Sequence, residues 1–159
     1  GGHLPVTVVP AAHRVIVIYP MSGIETFFRY LWALPATSVG LLFLPLAAPW
    51  GGGRAKLVAG VLELHGTPIA WVLRRLTPIG ATAMTLGHVV IGRDAACLES
   101  TRAHERVHVR QYERWGILFY PAYLSASLWL WMRGRDPYRA NPFEVEAYVE
   151  EGNEPEMYS

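Results

Sequence analysis

The chain has 159 residues, which is enough for one domain with a hydrophobic core, and 52% of them are apolar while only 17% are charged. The net charge of +1 is too small and too dispersed for a nucleic-acid-binding surface, so nucleic acid is excluded as a predicted partner. The single cysteine excludes an internal disulfide bond.

The first 50 residues are predicted to contain a strand-like segment and a transmembrane helix. Residues 1–29 hold two short runs of β-branched residues separated by Pro10. Residues 30–50 carry no charge, and 21 residues are long enough to cross a hydrocarbon core of about 30 Å. Arg29 and Trp50 stand at the two ends of this run, where interfacial anchors are expected. The alternative interpretation is a buried core helix, or two short helices broken at proline.

The predicted span implies a membrane location and a lipid bilayer as partner. We expect a bacterial inner membrane. Nine Lys and Arg residues lie between residues 51 and 115, against two before residue 30. By the positive-inside rule, this asymmetry places the domain that follows the span in the cytoplasm.

Residues 51–149 are predicted to form one α+β domain with a small antiparallel sheet. Residues 56–65 and 67–76 are interpreted as two strands that form a hairpin around a Gly-Thr-Pro turn. Residues 81–91 are rich in β-branched side chains, are bounded by glycine and predict a third strand.

Residues 104–108 spell H-E-x-x-H inside a run from residue 94 to 115 that holds no Gly or Pro and predicts a helix. Residues four apart share a helix face, so His104 and His108 can reach one metal ion. Glu105 lies beside them, where its carboxylate can take a proton from a metal-bound water. Zn²⁺ is the predicted metal, because it accepts neutral imidazole and its catalytic sites need three protein ligands plus water.

The same helix carries a basic stripe, which we define as the four arginines that recur every four residues: Arg102, Arg106, Arg110 and Arg114. Arg102 and Arg106 each lie two positions from His104, so the stripe is predicted to face away from the metal. One interpretation is a solvated face with Glu99 and Glu113 as partners. The other is contact with anionic lipid headgroups.

Residues 116–132 form a second uncharged run of 17 residues. Such a helix spans only about 26 Å, which is short for a bilayer, and Pro121 interrupts its early part. The run is therefore predicted to pack against the H-E-x-x-H helix or to dip into the membrane interface and return. A crossing would separate His104 from any ligand near the C-terminus.

Residues 141–148, Asn-Pro-Phe-Glu-Val-Glu-Ala-Tyr, resemble the second motif of the glutamate-type zincin metallopeptidases. In those enzymes a Glu three residues before an Ala completes the zinc site, which implies Glu144 as the third ligand and Glu146 as the alternative. Asn141 and Glu144 also make an ordinary helix N-terminus that needs no metal, so ligand and cap stay equally open. Tyr148 stands where many of these families have an Asp that orients a histidine ligand.

The run from residue 81 to 111 extends this resemblance, because a strand, a short loop and an H-E-x-x-H helix follow one another as in zincins. Together with residues 141–148 it looks like small, largely uncharacterised bacterial membrane-associated metallopeptidases, over less than half of the chain. The resemblance implies a zincin-like fold, a bound metal and a peptide substrate that pairs with an edge strand.

Three further predictions concern single residues and the C-terminus. His88 is an alternative ligand or a group that binds the oxyanion, although an ordinary core or edge position also explains it. Tyr112 could donate to a developing oxyanion, although packing is the simpler role. Residues 150–159 are acidic and predicted to form a solvated tail.

Two functions from different classes fit this sequence. The first is a membrane-anchored zinc peptidase in which His104, His108 and Glu144 hold the metal and Glu105 is the general base. The second is a non-catalytic accessory subunit of a multi-subunit membrane complex, of respiratory or photosynthetic type, with a degenerate H-E-x-x-H. Other membrane-protein subunits would then be its partners.

Overall fold

The computed structural model describes residues 7–11, 14–18, 23–77 and 80–152, and the fold is α+β. The described part contains six strands and five α-helices. The strands are β1 Thr7–Ala11, β2 Arg14–Ile18, β3 Arg54–Val58, β4 Val61–His65, β5 Ala83–Leu86 and β6 Val89–Gly92. The helices are α1 Gly23–Leu41, α2 Thr67–Leu76, α3 Ala95–Trp115, α4 Phe119–Met132 and α5 Pro142–Glu151.

The main sheet has four strands in the order β3-β4-β6-β5, and it is mixed. Strands β4 and β6 are parallel, whereas β3 pairs with β4 and β5 pairs with β6 in antiparallel fashion. The predicted antiparallel sheet is therefore wrong. A parallel pair needs a long connection, and here α2 and β5 lie between β4 and β6. Strands β1 and β2 form a separate antiparallel hairpin.

The strand predictions misplaced the turns. Residues 56–65 were expected to form one strand, but the chain turns at Ala59 and Gly60, whose φ values of 44° and 79° suit a two-residue hairpin loop. Residues 81–91 turn in the same way at Gly87, with φ 63°, which separates β5 from β6. The expected strand at 67–76 is helix α2, since Ile69 and Leu73, four residues apart, are both fully buried on one face.

The sheet is covered on both faces. On one face, residues of β4 and β6 pack with α2 in a cluster that contains Leu64, Ile69, Leu73 and Ile91. On the other face, alternate residues of the strands pack with α3 in the cluster Val61, Ala83, Val90, Leu98 and Val109. Helix α3 also packs against α1 and α5. The H-E-x-x-H helix is therefore held by the sheet on one side and by helices on the others.

The predicted transmembrane helix at residues 30–50 is wrong. Helix α1 begins at Gly23 and ends at Leu41, and two 3₁₀ turns follow, Leu44–Ala47 and Pro49–Gly51, each with proline in its first turn. Proline lacks the N–H that a continuing helix needs. Among the residues that the structure describes, no helix has both the length and the hydropathy to cross a membrane. The predicted location in a bacterial inner membrane, which rested on this span, is overturned with it.

The predicted segment boundaries also move. Residues 23–29 belong to α1 rather than to the N-terminal strand-like segment. The second uncharged run forms a 3₁₀ turn, Gly116–Leu118, and then α4. The predicted tail begins inside α5, where the Glu150 carboxylate pairs with Arg110. Residues 153–159 lie outside the described part of the chain.

One buried ion pair connects α3 to the sheet and provides a stability prediction. Glu63 on β4 is buried, and both of its carboxylate oxygens accept hydrogen bonds from Arg102, at 2.8 and 3.1 Å. Removing one partner of a fully buried pair costs about 3–5 kcal/mol. Because the Arg102 side chain is 34% exposed, we expect Glu63→Ala to lower the free energy of unfolding by a smaller amount, about 1–3 kcal/mol.

Urea denaturation followed by circular dichroism measures this loss. The control is Lys56→Ala on β3, directly opposite Glu63 in the sheet and exposed, for which we expect a change within about 0.5 kcal/mol. Equal effects of the two variants would contradict a structural role for the Glu63–Arg102 pair.

Candidate metal centre

Helix α3 places both histidines of the motif on one buried face. The helix is capped at its N-terminus by Asp94, whose side chain accepts a hydrogen bond of 2.8 Å from the Cys97 N–H. It ends at Gly116, whose φ of 57° lies in the region that favours glycine. Between these points the helix is continuous, so His104 and His108 lie one turn apart with ring centroids separated by 4.9 Å.

Helix α5 brings Glu144 to the same point. His104 Nε2 lies 3.2 Å from one Glu144 carboxylate oxygen, and His108 Nε2 lies 3.6 Å from the other. The two Nε2 atoms are 3.1 Å apart. All three side chains are buried, with ligand atoms that lie within 4.8 Å of one another. These three residues form a group that could hold a metal ion.

The donor spacing is compatible with a single metal ion. Two ligands about 2.1 Å from one ion at a tetrahedral angle lie about 3.4 Å apart. The separations between the Nε2 atoms of His104 and His108 and the Glu144 carboxylate, 3.1, 3.2 and 3.6 Å, are close to this value. Without a metal, two imidazole nitrogens that face each other share at most one proton between them. A cation would satisfy both lone pairs and the carboxylate at once.

The charges of the metal-free cluster are set by its burial and by its own partners. Burial alone disfavours a charged His108, but the hydrogen bond to Glu144 and the charges of Glu144 and Glu105 outweigh it and raise the pKa of His108 to about 9. Burial likewise opposes ionisation of Glu144, but hydrogen bonds from His104 and His108 lower its pKa to about 2. A metal ion must therefore displace a proton from His108 at neutral pH.

Each histidine has a partner for its second ring nitrogen. His108 Nδ1 lies 2.8 Å from Oε1 of Gln111, a fully buried residue. The Gln111 amide in turn donates to the Phe143 carbonyl and to Glu146 on α5. The Glu151 carboxylate lies 3.7 Å from His104 Nδ1. A hydrogen bond such as that between His108 and Gln111 fixes the orientation of a histidine ligand and raises its basicity.

Glu144 has a partner as well, and a different residue caps its helix. Asn141 is the N-cap of α5 and accepts a hydrogen bond from the Phe143 N–H at 3.0 Å. The Tyr123 hydroxyl of α4 donates to Glu144 Oε1 at 2.7 Å. Burial and the nearby Glu144 charge raise the pKa of Tyr123, which keeps it a donor at neutral pH. The Glu144 side chain is thus directed at the two histidines.

Glu105 lies beside this group and is positioned by the sheet. Thr85 on β5 donates from Oγ1 to Glu105 Oε2 at 2.6 Å, and both residues are buried. Burial raises the pKa of Glu105, against the opposing charge of His108 and the hydrogen bond from Thr85. A buried carboxyl with a raised pKa next to a possible metal group is suited to accept and return a proton.

The other predicted site residues lie outside the group of possible ligands. His88 is in the turn between β5 and β6, where it pairs with Glu113 and stacks on Tyr30 at a centroid distance of 3.9 Å. Glu146 accepts hydrogen bonds from Gln111 and Arg114. The two remaining predicted site residues are tyrosines. The Tyr148 ring packs 4.7 Å from the His104 ring, and buried Tyr112 packs on Phe119.

Sequence reasoning missed four residues that contact the group. Gln111 had a local signal, because it lies three residues after His108 on the same helix face. Glu151 had a weaker one, seven residues after Glu144 on α5, where it supplies a carboxylate near His104 in place of the Asp expected at Tyr148. The other two, Thr85 and Tyr123, could not be predicted from the sequence near the motif, because β5 and α4 bring them to the site.

Comparison with protein-family models finds no matching family, and neither curated proteins nor solved structures give a match. The resemblance to zincins therefore stays a prediction from the motifs.

The partner of His108 provides a prediction on metal affinity. Gln111→Leu keeps the approximate size of the side chain but removes the acceptor for His108 Nδ1. We expect the affinity for a divalent metal ion to fall about 10- to 100-fold, as for other losses of a partner that orients a histidine ligand. Competition against a chromophoric chelator measures the change.

The control for this variant is Glu146→Ala, which removes a different partner of Gln111 and leaves the 2.8 Å contact between His108 and Gln111 in place. We expect a smaller loss of affinity. Equal losses in the two variants would show that the packing of α5 is responsible, and not the acceptor on His108.

Proposed function

We propose that this protein is a zinc-dependent peptidase that hydrolyses peptide bonds with an activated water. The observation that carries the proposal is the buried convergence of His104, His108 and Glu144, with the Glu105 carboxylate one residue from the first histidine. Three nitrogen and oxygen ligands suit Zn²⁺ and leave a fourth position for water or substrate. Bound Zn²⁺ would act as a Lewis acid and lower the pKa of water toward about 7.

The chain's own residues would provide the proton transfers. Glu105 accepts the proton of the attacking water and returns it to the departing amine. Thr85 occupies one oxygen of the Glu105 carboxylate, which leaves the other oxygen for this exchange. Gln111 and Tyr123 hold His108 and Glu144 in place, so the ligands are preorganised before the substrate arrives.

Strand β5 offers a place for an extended peptide. It lies at the edge of the sheet, next to α3, and only one of its sides pairs with another strand of the main sheet. Its residue Thr85 contacts Glu105 directly. A peptide that adds to this edge as a further strand would pass close to the base. Peptide is accordingly the proposed substrate class.

Metal content and hydrolysis together test this function. The purified protein should contain or take up one Zn²⁺ per chain and cleave members of a mixed peptide library. Mass spectrometry of the library identifies the cleaved bonds, and a chelator should abolish the cleavage. A protein that binds Zn²⁺ but cleaves no peptide would contradict the enzymatic proposal while leaving the metal centre intact.

A second candidate function is a non-catalytic subunit of a larger assembly. It is favoured by the outer faces of α1 and α4, where many large apolar side chains are half exposed or more. These include Phe27, Phe28, Leu31, Leu124, Leu128 and Trp131. Stable co-purification with other proteins, combined with the absence of bound metal and of cleavage, would support this function over the peptidase.

A further inference from the structure

A cavity of about 390 Å³ lies behind the H-E-x-x-H helix. Three arginines of the basic stripe, Arg102, Arg106 and Arg110, line it from consecutive turns of α3. The opposite wall is the β3–β4 turn with Val58 and Ala59. Because Arg106 lies two positions from each histidine, about 200° around the helix, this cavity is on a different side of α3 from the metal group.

The cavity has both cationic and apolar walls. Besides the three guanidinium groups, it is lined by Val61, Val109 and the stacked rings of Tyr30 and His88. The His88 side chain is 5% exposed, and its Nδ1 is a buried atom without a hydrogen-bond partner among the described residues. The lining therefore combines polar groups that recognise charge with surfaces that accept an apolar group.

Four arginines around this cavity share three carboxylates. Three arginines are paired: Arg29 with Glu113, Arg102 with Glu63, and Arg110 with Glu150. Arg106 has the longest of these ion pairs, 3.8 Å to Glu63, a carboxylate that Arg102 already holds with two hydrogen bonds. Among the described residues, its hydrogen bonds go to the backbone carbonyls of Val58 and Ala59.

The excess of one positive charge indicates the class of ligand. A carboxylate carries one negative charge and matches the planar fork of a guanidinium group. A second negative charge on the ligand would exceed this excess and add to the repulsion from the Glu113 carboxylate, which is also in the lining and whose pKa is lowered by the hydrogen bond to His88. The valines and Tyr30 suit an apolar body attached to the carboxylate.

We propose that this cavity is a second binding site, which takes a small organic carboxylate with an apolar body through the guanidinium group of Arg106. The site is independent of the proposed peptidase activity. It also assigns a role to Arg106, the charged residue at the first x position of the H-E-x-x-H motif.

The experiment uses benzoate as the probe and benzamide as its neutral counterpart, with the full-length ¹⁵N-labelled protein followed by NMR. Benzoate should give saturable shifts at residues 58–61 and 102–110, and benzamide should give none that saturate. The affinity should be the same with Zn²⁺ and with a chelator, because the metal group is on another side of α3. Loss of binding in the chelator would overturn the proposal by placing benzoate on the metal.

Two variants and one matched control test the residue assignment. Arg106→Gln should weaken benzoate binding at least about tenfold, the loss expected for one charge-assisted hydrogen bond. Arg114→Gln makes the same change in the same stripe, but Arg114 does not line the cavity and is 62% exposed. It should bind benzoate as the parent does. Equal affinities in these two variants would overturn the proposal.

Arg106 also holds the β3–β4 turn, so a second variant tests the site without changing Arg106. Val58→Phe places a larger side chain in the cavity and leaves every charge in place, so it should also weaken benzoate binding at least about tenfold. Circular dichroism and thermal denaturation show whether each variant is folded. Unchanged binding in a folded Val58→Phe protein, or tighter binding of inorganic phosphate than of benzoate by the parent, would overturn the proposal.

Discussion

Glu105→Gln is expected to retain one Zn²⁺ per chain and to lose peptide hydrolysis by about 10²- to 10⁴-fold in kcat, the usual contribution of a general base. The amide cannot accept a proton, but its oxygen can still accept the hydrogen bond that Thr85 donates to this side chain. The three possible metal ligands are unchanged. Steady-state kinetics on a cleaved peptide, together with metal analysis, separates the loss of the base from the loss of the metal.

The matched control for this prediction is Glu99→Gln, the same chemical change at an exposed position of the same helix. It should have the activity and the metal content of the parent. A Glu105→Gln protein with full activity would show that another group accepts the proton. A loss of metal in that variant would assign Glu105 to the metal centre instead.

Zinc affinity is expected to rise about tenfold for each pH unit between pH 7 and 8.5. The pKa of His108 is raised to about 9 in the metal-free protein, so His108 is protonated in this range and Zn²⁺ must displace its proton. Raising the pH removes the competing proton and therefore strengthens metal binding. Glu144 adds nothing to the slope, because its pKa of about 2 leaves it ionised throughout.

Calorimetric titration with Zn²⁺ in two buffers of different ionisation enthalpy measures both the affinity and the number of protons released. We expect about one proton per Zn²⁺ at pH 7. The Glu144→Gln variant removes the carboxylate that is chiefly responsible for the raised pKa of His108, so it should release fewer protons. A pH-independent affinity of the parent would contradict the proposed displacement.

The two histidines were predictable because the interactions that place them are local. A run without Gly or Pro from residue 94 to 115 predicts a helix, and the i, i+4 spacing then puts His104 and His108 on one face whatever surrounds them. The structure has this helix, from Ala95 to Trp115. Gln111 follows from the same periodicity, because it lies three residues after His108 on the same helix.

The role of Glu144 could not be decided from the sequence, because both of its interpretations use the same local pattern. A Glu at the third position of a helix can cap that helix or leave the cap to its neighbours. The position of α5 against α3 brings the Glu144 carboxylate to 3.2 Å from His104, while Asn141 caps the helix.

The apolar runs misled the sequence analysis for a related reason. Hydropathy measures how little charge a segment carries, and it does not tell which surface covers the segment. Residues 30–50 became the C-terminal part of α1 and two 3₁₀ turns, in which Ala33, Gly40 and Ala47 are buried while larger apolar side chains such as Leu31 and Trp32 are about half exposed. The runs at 56–65 and 81–91 failed for a different reason, because glycine positions fix turns that strand propensity does not reveal.

The sequence by itself determined the H-E-x-x-H helix, its end at Gly116 and the alignment of His104 with His108, because hydrogen bonds between residues four apart fix those features locally. Only the tertiary structure decided which carboxylate meets the histidines, and that Thr85 holds Glu105 and Tyr123 holds Glu144. Each of these contacts joins residues about 20 or more positions apart. Such contacts depend on how the sheet, α4 and α5 pack around α3, and that packing is a property of the whole chain rather than of any one segment.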